Sequence, residues 1–369
     1  MPALRLLQLQ LVNFRSYNYL TWDCLPGLNI IYGPNAAGKT NLLEAIGYLA
    51  VARSFRQQLD QQLLAWGATS FQIKGLCLSY DDEVELFINY QQHNKGLTIN
   101  GIRSRLVELL GVFPGIYFGP DDLNLIKGGP YQRRQFLDRE LSMGDRLYCR
   151  SLQEYRRILL QRNLLLRALK VGRGKADELE PWDIQLLQAG QGIMAKRERF
   201  LQALEPLAAD LFQKMAGGTE LTLAYRPGVG DRQEWEERLQ SGREREIQAG
   251  MTLWGPHRDD FSVTFNGHEA RYFASQGQQR TMVLALKLAE ARYYWEMLGV
   301  TPVLLLDDVF SELDEQHQQA LLELLAVADQ AFLTTTAISL LPEQLIKQAR
   351  IWALSRGEEP RLISCPDGK

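Results

Sequence analysis

The sequence predicts an α/β fold: a head of mixed sheets and helices, interrupted by a helical insertion domain. Three observations predict it. Residues 33–40 follow the spacing G-x-x-x-x-G-K-[ST] between an apolar strand-like run and a helix-like one. A second apolar run, Leu304–Leu306, ends in the acid pair Asp307-Asp308. Most of the stretch between them is helical in its periodicity.

Taken in order, Leu4 to Phe14 alternates as a strand does, and Leu28–Tyr32 reads as a buried strand. The loop Gly33-Pro34-Asn35-Ala36-Ala37-Gly38-Lys39-Thr40 follows, and then Asn41–Leu49 with apolar positions three and four apart. Glycines at 33 and 38 let the backbone curl so that N–H groups point at phosphate oxygens; the helix adds its free N–H groups and the positive end of its dipole. Lys39 is placed to reach the β- and γ-phosphates, and the Thr40 hydroxyl to ligate Mg²⁺. Gly33–Asn41 is therefore a candidate nucleoside-triphosphate site. Phe71–Leu78 and Val84–Ile88 suit an antiparallel pair, and Asn100-Gly101 a hairpin turn, since both residues accept positive φ.

From Gly119-Pro120 to about Ala249 the pattern is helical. The clearest helix runs from Asp145 to Lys170, with Leu147, Tyr155, Ile158, Leu165 and Leu169 on one broad face. Arg146, Arg150 and Arg157 form a stripe on the other, and Gly172 and Gly174 end the helix. Short turns are expected at Gly217-Gly218 and Gly228-Val229-Gly230. Strand character returns at Asp260–Phe265, with a second hairpin signal at Asn266-Gly267, and a helix runs from Gln278 to Leu298. Strand Val303–Asp307, a helix near Leu313–Ala326, a strand near Phe332–Thr335 and a final strand near Ile351–Leu354 look like half of a sheet whose other half is N-terminal. The expected organisation is a discontinuous head, residues 1–118 and 251–369, with residues 119–250 as the insertion.

Length and composition bound the function. A chain of 369 residues has room for two domains, because single cores rarely grow past about 250–300 residues. With 46% hydrophobic and 23% charged residues the composition is that of a globular protein. Met1-Pro2-Ala3-Leu4-Arg5 shows no secretory signal, and no apolar run is long enough for a membrane span, so a cytoplasmic location is expected. Cys24, Cys77, Cys149 and Cys365 are scattered without a C-x-x-C pair, which excludes a zinc hook and points to reduced thiols. The net charge is −3, yet Lys127–Lys175 holds thirteen basic and four acidic residues, a local charge of +9 that leaves −12 for the rest. Arg133, Arg134, Arg146, Arg150 and Arg157 are the candidates there for contact with a phosphate backbone, against the alternative of a merely solvated helix face.

The strand ending in Asp307 and Asp308 occupies the position from which a phosphate-loop protein holds Mg²⁺ and orients the attacking water. Asp307 is the candidate metal-associated acid, with Thr40, and Asp308 the candidate general base, with Lys39 as the other catalytic candidate. Ser275-Gln276-Gly277-Gln278-Gln279-Arg280 opens a helix with serine and glycine at its start, a second helix end suited to an anion. Ser311-Glu312-Leu313-Asp314 follows the acid pair, and Thr334-Thr335-Thr336 ends the next strand, where a γ-phosphate sensor would sit.

In that order these motifs resemble the ABC-type ATPase heads of the SMC/Rad50/RecF group, and within it the RecF family. The resemblance is carried by Gly33–Leu43, Ser275–Arg280, Leu304–Asp314 and the segment Gly255-Pro256-His257-Arg258-Asp259-Asp260. Asn13–Tyr17, Ala52–Arg56 and Arg133–Asp138 support it, so that it covers nearly the whole chain. There are departures from generic heads of this type. Ala36 stands where glycine is common, the second acid is aspartate instead of glutamate, and the switch strand carries threonines in place of histidine. The shorter Asp308 implies slow turnover, since a misplacement of about 1 Å can cost roughly 10²-fold in rate.

The resemblance implies ATP and Mg²⁺ as ligands and an ATP-dependent homodimer, in which Ser275, Gly277 and Gln278 meet the nucleotide held by the other protomer's loop. It implies weak DNA-dependent ATP hydrolysis and binding of DNA, single-stranded, gapped or duplex, without sequence specificity. It further implies recombinational repair and replication restart with RecR and RecO as partners, loading of RecA, promotion of the SOS response, and a nucleoid-associated cytoplasmic location. Two other readings are a non-hydrolysing ATP-gated DNA clamp and an ABC transporter ATPase subunit, the latter disfavoured by the basic insertion. A Rad50-like structural protein is disfavoured by an insertion too short for a long coiled coil. The Gly255–Asp260 segment reads either as a coupling element or as a salt-bridged turn.

Overall fold

The structure, a computed structural model, describes residues 3–56, 59–217, 220–356 and 358–366, except the side chain of Glu312. Met1 and Pro2 of the N-terminal segment, and Gly218 of the expected Gly217-Gly218 turn, lie outside the described residues. The chain divides into two compact units, Met1–Asp122 with Val283–Lys369, and Leu123–Met282.

The first unit holds two six-stranded sheets. In one, Leu4–Phe14 (β1), Tyr17–Asp23 (β2), Ser70–Ser79 (β4), Asp82–Gln91 (β5), Asn94–Ile99 (β6) and Ile102–Arg103 (β7) are antiparallel in the order β2-β1-β4-β5-β6-β7. The alternation of β1 changes phase midway: Leu4 and Leu6 are buried, then Leu9 and Leu11. A register shift between Leu6 and Gln8 in its pairing with β4 accounts for the change, because one extra residue flips every later side chain to the other face. Asn100 and Gly101, at φ 51° and 75°, join β6 to β7 as the expected turn.

The second sheet runs Arg361–Ser364 (β15), Arg350–Ala353 (β14), Gly27–Tyr32 (β3), Gln330–Thr335 (β13), Val303–Asp307 (β12) and Gly115–Phe118 (β8). β14, β3, β13, β12 and β8 are parallel, and β15 is antiparallel to β14. The N-terminal strand β3 and the C-terminal strands β12 to β15 thus share one sheet, as the half-sheet pattern implied. The strand near Ile351 is followed by β15 and is not the last. β15 is exposed on both faces, so no apolar alternation marks it in the sequence.

Helix α1, Lys39–Val51, lies among the strands of both sheets. A Cβ at Gly75 of β4 would meet Leu49 Cδ1 at 2.5 Å, and one at Gly47 would meet Leu305 of β12 at 3.3 Å. Leu42 to Ala50 are buried without a break, Glu44 included. Glu44 is compensated by Arg15, whose Nε and Nη2 donate to its two oxygens at 2.8 and 2.9 Å.

The second unit is built on α2 (Pro130–Gly144), α3 (Arg146–Lys170) and α4 (Glu180–Ala216), with a three-stranded antiparallel sheet of Leu221–Arg226 (β9), Asp260–Phe265 (β10) and His268–Glu269 (β11). Asp145 caps α3, accepting from the N–H of Leu147 and Tyr148. Its buried stripe is Tyr148, Leu152, Tyr155, Ile158, Arg162 and Leu166; Leu147, expected on the apolar face, is 64% exposed, and Leu165 and Leu169 are half-buried. The buried stripe differs from the apolar face the pattern predicts because a charged residue, Arg162, lies inside it. That arginine is fully buried, donating to Asp183 at 2.7 Å, Glu246 at 2.6 Å and Thr252 at 2.8 Å.

The compact units also divide differently from the expected 1–118, 119–250 and 251–369. Residues 251–282 belong with the second unit because β10 pairs with β9 along its whole length, from Asp260 opposite Arg226 to Phe265 opposite Leu221. Helix α5, Gln276–Leu298, spans the division.

Candidate functional site

In the first unit β3 ends at Tyr32 and α1 begins at Lys39, so the intervening loop sits at the carboxyl end of a central parallel strand. Gly33 is wedged there: a Cβ would lie 2.2 Å from the backbone oxygen of Leu354, so no larger residue fits without moving the loop. Gly38 holds the N-cap of α1 at φ 108°, with no side chain capping the helix. The first N–H groups of α1 therefore face outward, toward whatever anion the loop takes. Pro34, Asn35 and Ala36 are exposed, while Ala37, Gly38 and Lys39 are buried; Ala36 takes a positive φ of 64° where glycine would be unstrained. The β1–β2 turn braces the loop from behind. Tyr17 Oη donates to Gly38 O at 3.1 Å, and Asn41 Nδ2 donates to Ser16 Oγ at 2.9 Å.

Lys39 is folded over the loop, its Nζ donating to Gly33 O at 2.7 Å and Pro34 O at 3.0 Å. Burial pulls its pKa down, and the carboxylates of Asp308 and Asp307 oppose that shift. Thr40 Oγ1 donates to Asp307 Oδ1 at 2.9 Å, although the two residues are 267 apart in sequence. Thr334 Oγ1 donates to the same oxygen at 2.7 Å and accepts the N–H of Asp308 at 3.0 Å. The expected γ-phosphate sensor strand thus offers, at Thr334, a fully buried brace for the acid pair; Thr335 Oγ1 turns to Ala337 O at 3.0 Å, and Thr336 is half-buried. Asp308 is half-buried in a left-handed conformation, φ 53° and ψ 29°, which aspartate tolerates better than most residues.

Tyr117 was missed by sequence reasoning. Its hydroxyl donates to Asp307 Oδ2 at 3.2 Å across 190 residues of sequence, and nothing in its local pattern marks it out.

Ser275, Gly277 and Gln278 belong to the second unit. Ser275 N–H donates to Gln278 Oε1 at 2.8 Å, and Gln278 N–H to Ser275 Oγ at 3.3 Å, which makes a capping box at the start of α5. Ser275 and Gly277 are exposed, and a Cβ at 277 would meet open space. Gln279 is buried and donates to the carbonyls of Ala270, Arg271 and Ala274, fixing the turn that presents them.

A strand–loop–helix whose threonine meets the carboxylate of an acid-tipped strand, with a lysine folded over the loop, is the arrangement of a phosphate-loop nucleotide site. Comparison with known proteins agrees. The family of RecF/RecN/SMC N-terminal domains matches residues 5–358. The DNA replication and repair protein RecF of Moorella thermoacetica is 74% identical over 366 residues, 99% of either chain. The chain belongs to the RecF family. RecF of Halalkalibacterium halodurans is 38% identical, covering 95% of this chain and 97% of its own. The solved structure of the recombination mediator protein RecF with ATP, from the RecFOR pathway, superposes with a TM-score of 0.91 at 32% identity, covering 98% of each chain. The Smc head domain of Pyrococcus furiosus, at 16% identity and a TM-score of 0.56, shares the fold.

The basic candidates of this RecF-family chain separate into two kinds. Arg146, Arg150 and Arg157 are exposed on α3. Arg133, expected at a phosphate backbone, is instead buried, donating bidentately to Asp260 at 2.6 and 2.9 Å and to Gly128 O at 2.9 Å, so it has a structural role inside the unit. Arg134 is half-buried, with Nη1 on Asp259 O at 2.7 Å.

Gly255–Asp260 is a salt-bridged turn. Asp259 is fully buried and accepts from Arg197 Nη1 at 2.6 Å, from the Tyr225 hydroxyl and from Gly228 N–H at 2.7 Å. Burial pushes its pKa up, against Arg197. His257 lies between the Tyr155 hydroxyl at 2.7 Å and Thr252 O at 3.1 Å. A carbonyl only accepts, so Nε2 carries the proton and Nδ1 accepts from Tyr155. Burial holds this imidazole neutral, with a pKa lowered to about 4. Among the described residues no helix is long and apolar enough to cross a membrane, and no group of three or more His, Cys, Asp or Glu residues is arranged to hold a metal ion.

Proposed function

We propose that this RecF-family chain is an ATP-gated, slowly hydrolysing DNA-binding switch of recombinational repair. The observation that carries the proposal is the convergence of Lys39, Thr40 and Asp307 at the mouth of a loop whose helix opens without a capping side chain. The donor set fits Mg²⁺ bound with a triphosphate. Two hard oxygens, one of them an anion, stand 2.9 Å apart, and Mg²⁺ at nucleotide sites is held by one or two protein oxygens together with phosphates and water. Bound there, Mg²⁺ would neutralise charge on the phosphate oxygens. Lys39 would exchange the carbonyls of Gly33 and Pro34 for phosphate oxygens, Thr40 and Asp307 would hold the ion, and N–H groups of the loop beyond Pro34, up to Asn41, would supply backbone donors. Asp308 would take the proton of the attacking water, with Thr334 holding it in place.

Exposed on its own protomer, the Ser275–Gln278 helix start has the chemistry to meet a triphosphate carried by a second copy. Pairing would then depend on ATP, and loss of the γ-phosphate would release it. The Arg146–Arg157 stripe would lie on DNA phosphates, in single-stranded, gapped or duplex DNA. The kinship with RecF of the RecFOR pathway supports RecR and RecO as partners, RecA loading and the SOS response as the setting, and a nucleoid-associated cytoplasmic location. Light scattering with ATP and Mg²⁺ tests the reading. Lys39→Ala should bind no nucleotide, and Ser275→Ala should bind ATP yet stay monomeric. An ATP dimer of normal stability in Ser275→Ala would remove that helix start from the interface.

A further inference from the structure

We propose that Tyr117 is a positioning residue for the metal-bearing carboxylate of Asp307. Asp307 Oδ1 is shared by Thr40 and Thr334, at 2.9 and 2.7 Å, while Oδ2 is held by the Tyr117 hydroxyl at 3.2 Å. With both oxygens tethered the carboxylate cannot rotate about its Cβ–Cγ bond, so one oxygen stays aimed at the Thr40 hydroxyl. Partners of this kind orient a ligating carboxylate and commonly set metal affinity by one to two orders of magnitude.

The tyrosine is itself pinned. Its ring stacks on Phe55, with centroids 3.5 Å apart and planes at 19°, and the side chain is buried at the end of β8. Gly119 supplies the space its hydroxyl occupies: a Cβ there would lie 2.1 Å from Tyr117 Oη. The Gly119 N–H is in turn fixed by Asp122 Oδ2 at 2.9 Å, so the backbone cannot yield easily. Ring stack, glycine gap and tethered turn all fix the position of one hydroxyl. A residue needed only to fill the core would require the ring and not the hydroxyl.

The inference rests on the proposed reading of the site as a Mg²⁺–nucleotide site. Its test is the Mg²⁺ titration of ATP binding, followed by fluorescence of a labelled ATP analogue, with parallel measurements in EDTA. Tyr117→Phe keeps the stack on Phe55 and removes the hydroxyl. It should raise the Mg²⁺ concentration for half-saturation about tenfold, leaving EDTA binding and the thermal midpoint of the free protein near wild type. Gly119→Ala should reproduce the Mg²⁺ shift by displacing the hydroxyl. An unchanged or lower Mg²⁺ requirement in Tyr117→Phe would overturn the proposal, as would an equal loss of binding in EDTA. If wild-type protein binds the analogue without any response to Mg²⁺, the reading of the site has failed instead.

Discussion

Replacing Arg146, Arg150 and Arg157 together by alanine separates a nucleic-acid face from a face that is only solvated. On α3 these residues stand at i, i+4 and i+11, so they share one side of the helix, and all three are exposed. If each neutralises one phosphate, the log–log slope of affinity against salt becomes shallower by about 0.9 per residue, about 2.7 in the triple variant. Over a fourfold rise in salt the wild type should then lose about 40-fold more affinity than the variant. The assay is fluorescence anisotropy of a labelled gapped duplex with saturating ATP, titrated from about 50 to about 200 mM KCl. Arg133→Gln is the control. Its guanidinium is committed to Asp260 inside the unit, so this change should lower stability while the slope of the folded protein stays that of the wild type. Parallel salt slopes for wild type and triple variant would refute the assignment of this face to DNA.

Acid stability offers a second test. His257 titrates near 4 in the fold against 6.5 unperturbed, so between those values the unfolded chain binds a proton that the folded one does not. Stability should therefore fall as the pH drops through that window, by up to about 3 kcal/mol. His257→Gln, which cannot take up the proton, should flatten this limb in urea unfolding; an unaltered limb would place the sensitivity elsewhere. In the loop, Gly33→Ala would put a methyl group 2.2 Å from Leu354 O. Calorimetry should show nucleotide affinity reduced more than tenfold, about 1.4 kcal/mol or more, and wild-type affinity would show that the loop tolerates the shift.

What the sequence by itself determined is what depends on neighbours along the chain. The 33–40 loop between strand and helix, the Asn100-Gly101 and Asn266-Gly267 turns, the serine–glycine start of α5 and the acid-tipped strand are set by spacing and by allowed φ values. A single sequence displays both. The tertiary structure decided which partners meet across long separations. Periodicity shows a polar residue on a helix face but not the carboxylate waiting opposite. Arg162, one of the thirteen basic residues between Lys127 and Lys175, is closed on by Asp183 and Glu246, and the phosphate-contact candidate Arg133 by Asp260. Strand pairing is equally non-local. The β9–β10 ladder places residues 251–282 with the second unit, and the meeting of Tyr117, Thr40 and Thr334 at Asp307 follows from the order of parallel strands in one sheet. Backbone hydrogen bonds between distant strands fix that order, and the local residue pattern does not encode it.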